Sequence, residues 1–417
     1  MEVSPGFRKT EVGLVPQDWV VAKLGTRAKF RTGPFGSALH QSDYVDGGIP
    51  VINPMQIVDG KLLPTASMAI SEEAARKLSD FRLSAGDVVI GRRGEMGRCA
   101  FVESEANGWL CGTGSMIIRV APSLDARFIQ RVLSSPPVVA AIENSSVGST
   151  MINLNQSTLA NLFVPLPASK SEQEAIAGAL SDADALIKSL EKLVAKKRHL
   201  KQGAMQELLT GKRRLPGFSG EWDVWPLAEI CTKIQDGTHF SPRLGGNDFL
   251  YVTSKNIRCG TFDVSSAERI SAAEHAKIFA RCDVAKGDLL LTKDGANTGN
   301  AALNMLAEPF SLLSSVAMLR FDSRRHAATY FLQQVLCAGG QQQIKEAMSG
   351  NAITRLTLNK IRKLRFPVPS SSEQYAIATL LSDMAAEIAA LETKLSKVRQ
   401  IKQGMMQELL TGKTRLL

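Results

Sequence analysis

Apolar residues recur at alternating steps of four and three along two stretches of the chain. The later series is Ile377, Leu381, Met384, Ile388, Leu391, Leu395, Val398, Lys402, Met405, Leu409. The earlier one is Ile176, Leu180, Ala183, Ile187, Leu190, Val194, Lys197, Lys201, Ala204, Leu208. Ten layers of this spacing predict a long helix in each stretch, with the apolar stripe forming a coiled-coil seam. Pro is absent and Gly rare from Ser171 to Leu209 and from Ser372 to Leu410. Each helix opens on a Ser and Glu region and is stopped by Gly211 or Gly412, as helix capping favours. Outside these stretches, short apolar runs such as "DVVI" (Asp87 to Ile90) and "DLLLT" (Asp288 to Thr292) are broken by Gly, Asn, Asp and Pro clusters. That pattern predicts strands and loops with some helix, a mixed α/β globule before each long helix.

The two halves are copies of one another. "KQGAMQELLTGKRRL" (Lys201 to Leu215) returns as "KQGMMQELLTGKTRL" (Lys402 to Leu416), an offset of 402 − 201 = 201. The same offset aligns "SEQEAIAGALSD" (Ser171 to Asp182) with "SEQYAIATLLSD" (Ser372 to Asp383). With one extra residue it aligns "AGDVVIGRRGEMG" (Ala85 to Gly97) with "KGDLLLTKDGANTG" (Lys286 to Gly299). A repeat of this length sets the domain plan: globules over residues 1–167 and 215–369, helices over 168–214 and 370–417.

The seam lysines choose the helix orientation. A parallel pair would bring Lys201 against Lys402 in a partly dry interface, which is costly. Antiparallel pairing instead sets Lys201 opposite Met384 beside Asp383, and Lys402 opposite Ala183 between Asp182 and Asp184. The helix interface then includes Ile187, Leu190, Lys201, Met205 and Leu208 from the first helix, and Ile388, Leu391, Lys402, Met406 and Leu409 from the second. At about 1.5 Å per residue the seam is roughly 50 Å long, with a globule expected at each end.

Composition narrows the function more by exclusion than by suggestion. The chain is 44% hydrophobic and 22% charged, with no run of 18 apolar residues, so a membrane span is not expected and a cytoplasmic location is. Six cysteines (Cys99, Cys111, Cys231, Cys259, Cys282, Cys337) form no CxxC pair, which argues against zinc and a disulfide framework. A net charge of +10 and pI near 9.3 suit a polyanionic partner. "TGKT" (Thr411 to Thr414) lacks the upstream glycine of a phosphate loop, and "GTGSMI" (Gly112 to Ile117) lacks the third glycine of a dinucleotide fingerprint. "INPMQ" (Ile52 to Gln56) carries Met55 and Gln56 where an amino-methyltransferase loop has proline and an aromatic. No nucleophile–base set or metal site is evident, so no cofactor and no catalysis are expected.

The candidate chemistry is that of DNA reading. "GRRGEMGR" (Gly91 to Arg98) places Arg92, Arg93 and Arg98 on a glycine-rich turn, and "TKDGANTGN" (Thr292 to Asn300) places Lys293, Asp294, Asn297 and Asn300 at the equivalent point. Arg pairs with guanine, Asn with adenine, and Asp accepts from cytosine. A second candidate surface is "RTGPFGSALHQSDY" (Arg31 to Tyr44), with Arg31, Ser37 and His40, and its counterpart "QDGTHFSPRLGG" (Gln235 to Gly246), with His239 and Arg243. Lys255 and Asn256 complete the set.

Over essentially its whole length the chain resembles the specificity subunit of type I restriction-modification systems. The resemblance rests on the doubled architecture, the "GIPVINPMQI" and "GDVVIGRRGEMGRCAFV" stretches, and both "KQGAMQELLTGK"-like helix ends. It implies two target recognition domains, each reading half of a split asymmetric site in double-stranded DNA. It also implies two spacer helices that bind two copies of a DNA adenine methyltransferase subunit, with an ATP-dependent restriction subunit as a further partner the family allows. A stand-alone two-headed DNA-binding regulatory or architectural protein is the alternative the residues leave open.

Overall fold

The structure is a computed structural model, and it describes residues 6–34, 38–144, 153–348 and 355–416. Contacts divide the chain into two units, Met1–Leu190 with Lys394–Leu417, and Glu191–Thr393. Each is built around the same four-stranded antiparallel sheet. In the first unit the strand order is Cys99–Phe101, Val88–Gly91, Ser115–Val120, Ala28–Thr32. In the second it is Ala301–Leu303, Leu289–Thr292, Val316–Phe321, Cys231–Asp236.

The registers match too. Val88 pairs with Ile118 in one sheet and Leu289 with Leu319 in the other, each shifted by 201. All four residues of each central strand are buried, because both faces are covered. Val88 and Ile90 point into one core and Val89 into another; Leu289 and Leu291 repeat this with Leu290 opposite. The runs that read as unbroken apolar stretches are therefore strands with two dry faces.

The long helices are Lys170–Leu208 and Ser371–Leu409, 39 residues each. They begin one residue before the periodic stretches. Ser169 and Ser370 cap them, their hydroxyls accepting from the Glu172 and Glu373 amides at 3.2 and 3.3 Å. Gly211 and Gly412 end them in the left-handed region, at φ 72° and 71°. At Gly211 a side chain would also press on Trp222, its Cβ 3.2 Å from the ring.

Antiparallel packing is visible inside each unit. In the first, Ile176 and Leu180 from the start of one helix share a core with Leu409 and Leu410 from the end of the other. In the second, Ile377 and Leu381 share a core with Leu208 and Leu209. Along the seam Leu190, Val194, Ile388 and Leu395 are buried, and Ile187, Met205, Leu391 and Met406 are half-buried.

Lys402 pairs with Asp184 at 2.6 Å, as the antiparallel arrangement requires. No ion pair joins Lys201 to Asp383 among the described residues. The residue equivalent to Asp184 is Ala385, so Lys201 has no carboxylate at the matching place. Lys197 takes over the role one turn away, bonding Glu387 at 2.6 Å.

A buried carboxylate closes each unit. The Glu172 side chain, 3% exposed, accepts from Arg415, which also holds Asp18. Glu373, 1% exposed, accepts from Arg214 and from the Trp222 indole at 3.1 Å. The Arg415 bonds hold the Asp18 carboxyl below its usual range, the hydrogen bonds outweighing a small desolvation cost. Arg415→Ala should lower stability by about 2 kcal/mol, less than the roughly 3–5 of a fully dry pair because Arg415 keeps contact with water. Thermal unfolding should show Arg415→Ala/Glu172→Gln recovering part of that loss; an equally unstable double variant would mean the carboxylate is not the cause.

Candidate nucleic-acid interface

The glycine-rich turn leaves the central strand at one end of each sheet. In the first unit the Gly91 amide donates to the Arg98 carbonyl at 2.8 Å, and Gly94 and Gly97 take φ 81° and 75°. In the second the Thr292 amide donates to Asn300 at 2.8 Å, and Gly295 and Gly299 take φ 90° and 96°. The backbones that hold the turns also correspond. The Arg92 amide bonds the Gly114 carbonyl and the Arg92 carbonyl accepts from Leu154; Lys293 does the same with Ser315 and Leu356. The two turns are one frame with different side chains.

Those side chains divide sharply by exposure. Arg93 is exposed and has no hydrogen-bond or ion-pair partner among the described residues. Arg92 turns inward, its Nε donating to the Leu154 carbonyl at 2.9 Å, and desolvation lowers its pKa. Arg98 is half-buried between the Pro54 carbonyl and Glu95. In the second unit Asn297 is half-buried with no side-chain partner among the described residues. Asp294 is tied to Arg355 at 2.8 Å, and Asn300 donates to the Ile257 carbonyl at 3.3 Å.

Lys293 is 2% exposed, with Nζ 2.9 Å from Asp294 and 3.5 Å from Asp236. A lysine buried between two carboxylates cannot reach a base. It ties the turn to the strand end at Asp236, which also meets His239 at 3.2 Å and Arg281 at 3.3 Å. Asn256, 2% exposed, is likewise structural: its side chain accepts from the Thr253 amide at 2.9 Å and donates to the Asp263 carbonyl. Expectation and geometry part at these two residues: Lys293 is drawn in by Asp236, remote in sequence, and Asn256 turns back to close a local loop between Thr253 and Asp263.

Other candidates keep their access. Arg31 is half-exposed, 3.3 Å from Asp80 and over the Phe81 ring. His40 is exposed, its backbone amide bonded to Asp43. Arg243 and Lys255 are exposed and His239 is half-exposed. Ser37 lies outside the described residues. Phe240, Lys277 and Arg281, which the sequence did not single out, join Thr238, His239 and Ile278 around a cleft of about 310 Å³. Lys277 lies on the helix Ala272–Phe279 and Arg281 just past its end, a segment whose place beside the 238–243 loop no local motif announces. Among the described residues no cluster of His, Cys, Asp and Glu could hold a metal ion, and no helix is long and apolar enough to cross a membrane.

Comparison with known proteins agrees with this layout. The family model of the type I restriction modification DNA specificity domain matches twice, over residues 16–198 and 219–400. The putative type I restriction enzyme MjaX specificity subunit of Methanocaldococcus jannaschii is 23% identical, covering 98% of this chain and 97% of the relative. The MjaVIII specificity subunit of the same organism is 20% identical over 96% and 94%. The crystal structure of a type I restriction-modification S subunit from M. genitalium matches with a TM-score of 0.61 at 17% identity, covering 98% of both chains. A chain from a structure concerned with assembly and conformational transition of the type I R-M system gives 0.54 at 16% identity, covering 96% and 99%. Two family matches on two copies of one sheet, each ending in the same glycine turn, place this chain in the type I restriction-modification DNA specificity family: it is a DNA-recognition subunit and not itself a catalyst.

Proposed function

We infer that the chain reads a bipartite, asymmetric site in double-stranded DNA, one half through each unit, and brings two copies of a DNA adenine methyltransferase subunit to it. The observation that carries this is the pair of corresponding turns whose framework glycines agree while their polar residues do not. Closely similar backbone frames, one a residue longer than the other, keep the geometry of approach; different side chains change the bases preferred. The globules over 1–167 and 215–369 act as the two recognition domains, and the helices over 168–214 and 370–417 as spacers. Of the candidate readers, Arg31, His40, Arg93, His239, Arg243, Lys255 and Asn297 have the access that base or phosphate contact needs. Arg92, Arg98, Asn256, Lys293, Asp294 and Asn300 hold the loops in place.

Doubling explains the partner number. The near-identical helix ends, "KQGAMQELLTGK" and "KQGMMQELLTGK", are two copies of one docking surface, as two copies of one partner require. Leu193 and Leu200, 37% and 51% exposed and seven residues apart on the first helix, add apolar surface that a partner would cover. An ATP-dependent restriction subunit would join the same assembly, in the cytoplasm.

Arg93→Ala should relax recognition in one half-site and Asn297→Ala in the other, each by the roughly 1–3 kcal/mol of a good base contact. Mapping methylated sites for each variant with the partner present checks this. Equal weakening at every sequence would mean phosphate contact instead.

A chain ending at Arg214 keeps one globule and one helix, with Leu208 and Leu209 left without their core. Since the two helix ends are equivalent, a second copy can supply what Leu409, Leu410 and Arg415 supply in the first unit. Residues 1–214 should therefore dimerise and direct methylation to a palindrome of the first half-site. A monomer by sedimentation, or retention of the asymmetric site, would contradict the equivalence.

A further inference from the structure

Beside each glycine turn lies a second repeated device, a one-turn 3-10 helix locked by its own side chains. In the first unit it is Pro54–Gln56, where the Gln56 side chain accepts from the Asn53 amide at 3.2 Å to close a capping box. In the second it is Ser254–Asn256, closed by Asn256 on the Thr253 amide at 2.9 Å. The locking residues Gln56 and Asn256 are 5% and 2% exposed.

Each short helix is also strapped to its neighbouring turn. Arg98 donates to the Pro54 carbonyl at 3.2 Å, and its counterpart Asn300 donates to the Ile257 carbonyl at 3.3 Å. The Asn53 side chain accepts from the Gly114 amide at 3.3 Å, and the Ser254 amide donates to the Ser315 hydroxyl at 3.3 Å. In the first unit Pro54 packs so closely that a side chain at Gly114 would stand 2.8 Å from its ring. Each segment is thus tied to its glycine turn or to the backbone beside it.

At the apex of this rigid frame the two units differ completely. The first presents Met55, 81% exposed, and the second presents Lys255, also exposed. Leaving a methionine this bare forgoes the burial that a large apolar side chain favours. A capping box, a close-packed proline and an arginine strap hold it there, and none of the described residues covers it.

We propose that the apex residues Met55 and Lys255 are paired specificity determinants, each reading one base pair in its own half-site. Met55 is an unbranched apolar probe suited to the thymine methyl group, and Lys255 a cation suited to guanine O6 and N7 in the major groove. This rests on the reading of the chain as a two-part DNA reader and adds to it a position in each unit where the frame is kept and the exposed chemistry differs.

The experiment is to co-express the full chain with its methyltransferase subunit in a host free of other adenine methylation, and to sequence the modified positions. Wild type is compared with Met55→Lys, Met55→Ala and Lys255→Met, and thermal melts confirm that these exposed substitutions leave the fold intact. Met55→Lys should change base preference at one position of the first half-site by roughly tenfold or more, towards guanine, leaving the second half-site unchanged. Met55→Ala should flatten that position, and Lys255→Met should alter one position of the second half-site only. A two-part wild-type motif that all three variants leave unmoved would overturn the apex proposal alone. So would a uniform drop across all sites, or a change in the wrong half-site. A wild-type chain that directed methylation to no two-part site would overturn the underlying function as well.

Discussion

Burial of one carboxylate at the start of each long helix, Glu172 in the first unit and Glu373 in the second, constrains everything else in this molecule. A buried carboxylate needs a charged partner with good hydrogen-bond geometry. Here that partner comes from just beyond the end of the other long helix, Arg415 or Arg214. Each globule is thus complete only when the far end of its partner helix arrives, bringing two leucines for the core and an arginine for the acid. Sequence repetition is what makes two such closures possible in one chain.

From that closure follows the division of labour in each globule. The sheet, buried on both faces, fixes the glycine turn at one end; inward polar residues, different in the two units, tie the turn to the neighbouring capped 3-10 helix; and the residues left outside differ as well. Arg92 and Lys293 occupy the same backbone position and both turn inward, one to a carbonyl and one to two carboxylates. Arg93 remains in solvent, whereas the equivalent Asp294 is held by Arg355. Positive charge in the second unit is spent on internal ties around Asp236, so its outer surface near the turn is carried by Lys255, His239 and Arg243.

Much of this was legible in the sequence, and the parts that were not share a cause. Periodicity located both helices to within a residue, because a ten-layer seam is a local signal repeated many times. Matching glycines located the turns, because left-handed backbone is a local demand at Gly94 and Gly295. Lysine repulsion across the seam selected the orientation, and Lys402 with Asp184 agrees; the pair expected between Lys201 and Asp383 is absent among the described residues, and the position that answers to Asp184 is Ala385. Lys293 looked like a reader because nothing local reveals that Asp236 receives it, and Asn256 because its residue type alone does not show that it closes a loop between Thr253 and Asp263. Met55 drew notice only as a departure from a methyltransferase loop, since an apolar residue in an apolar run reads as core until its exposure is seen.

The two units are equivalent frames that present different side chains. Exchanging residues 1–167 with 215–369, while leaving both long helices in place, and mapping the methylated sites tests this directly. Because the units repeat one sequence pattern and one sheet, the exchanged chain should modify the same two half-sites at the same spacing. Loss of modification, or a motif with altered half-sites or spacing, would show that each globule is fitted to its own helix and that the frames are not equivalent.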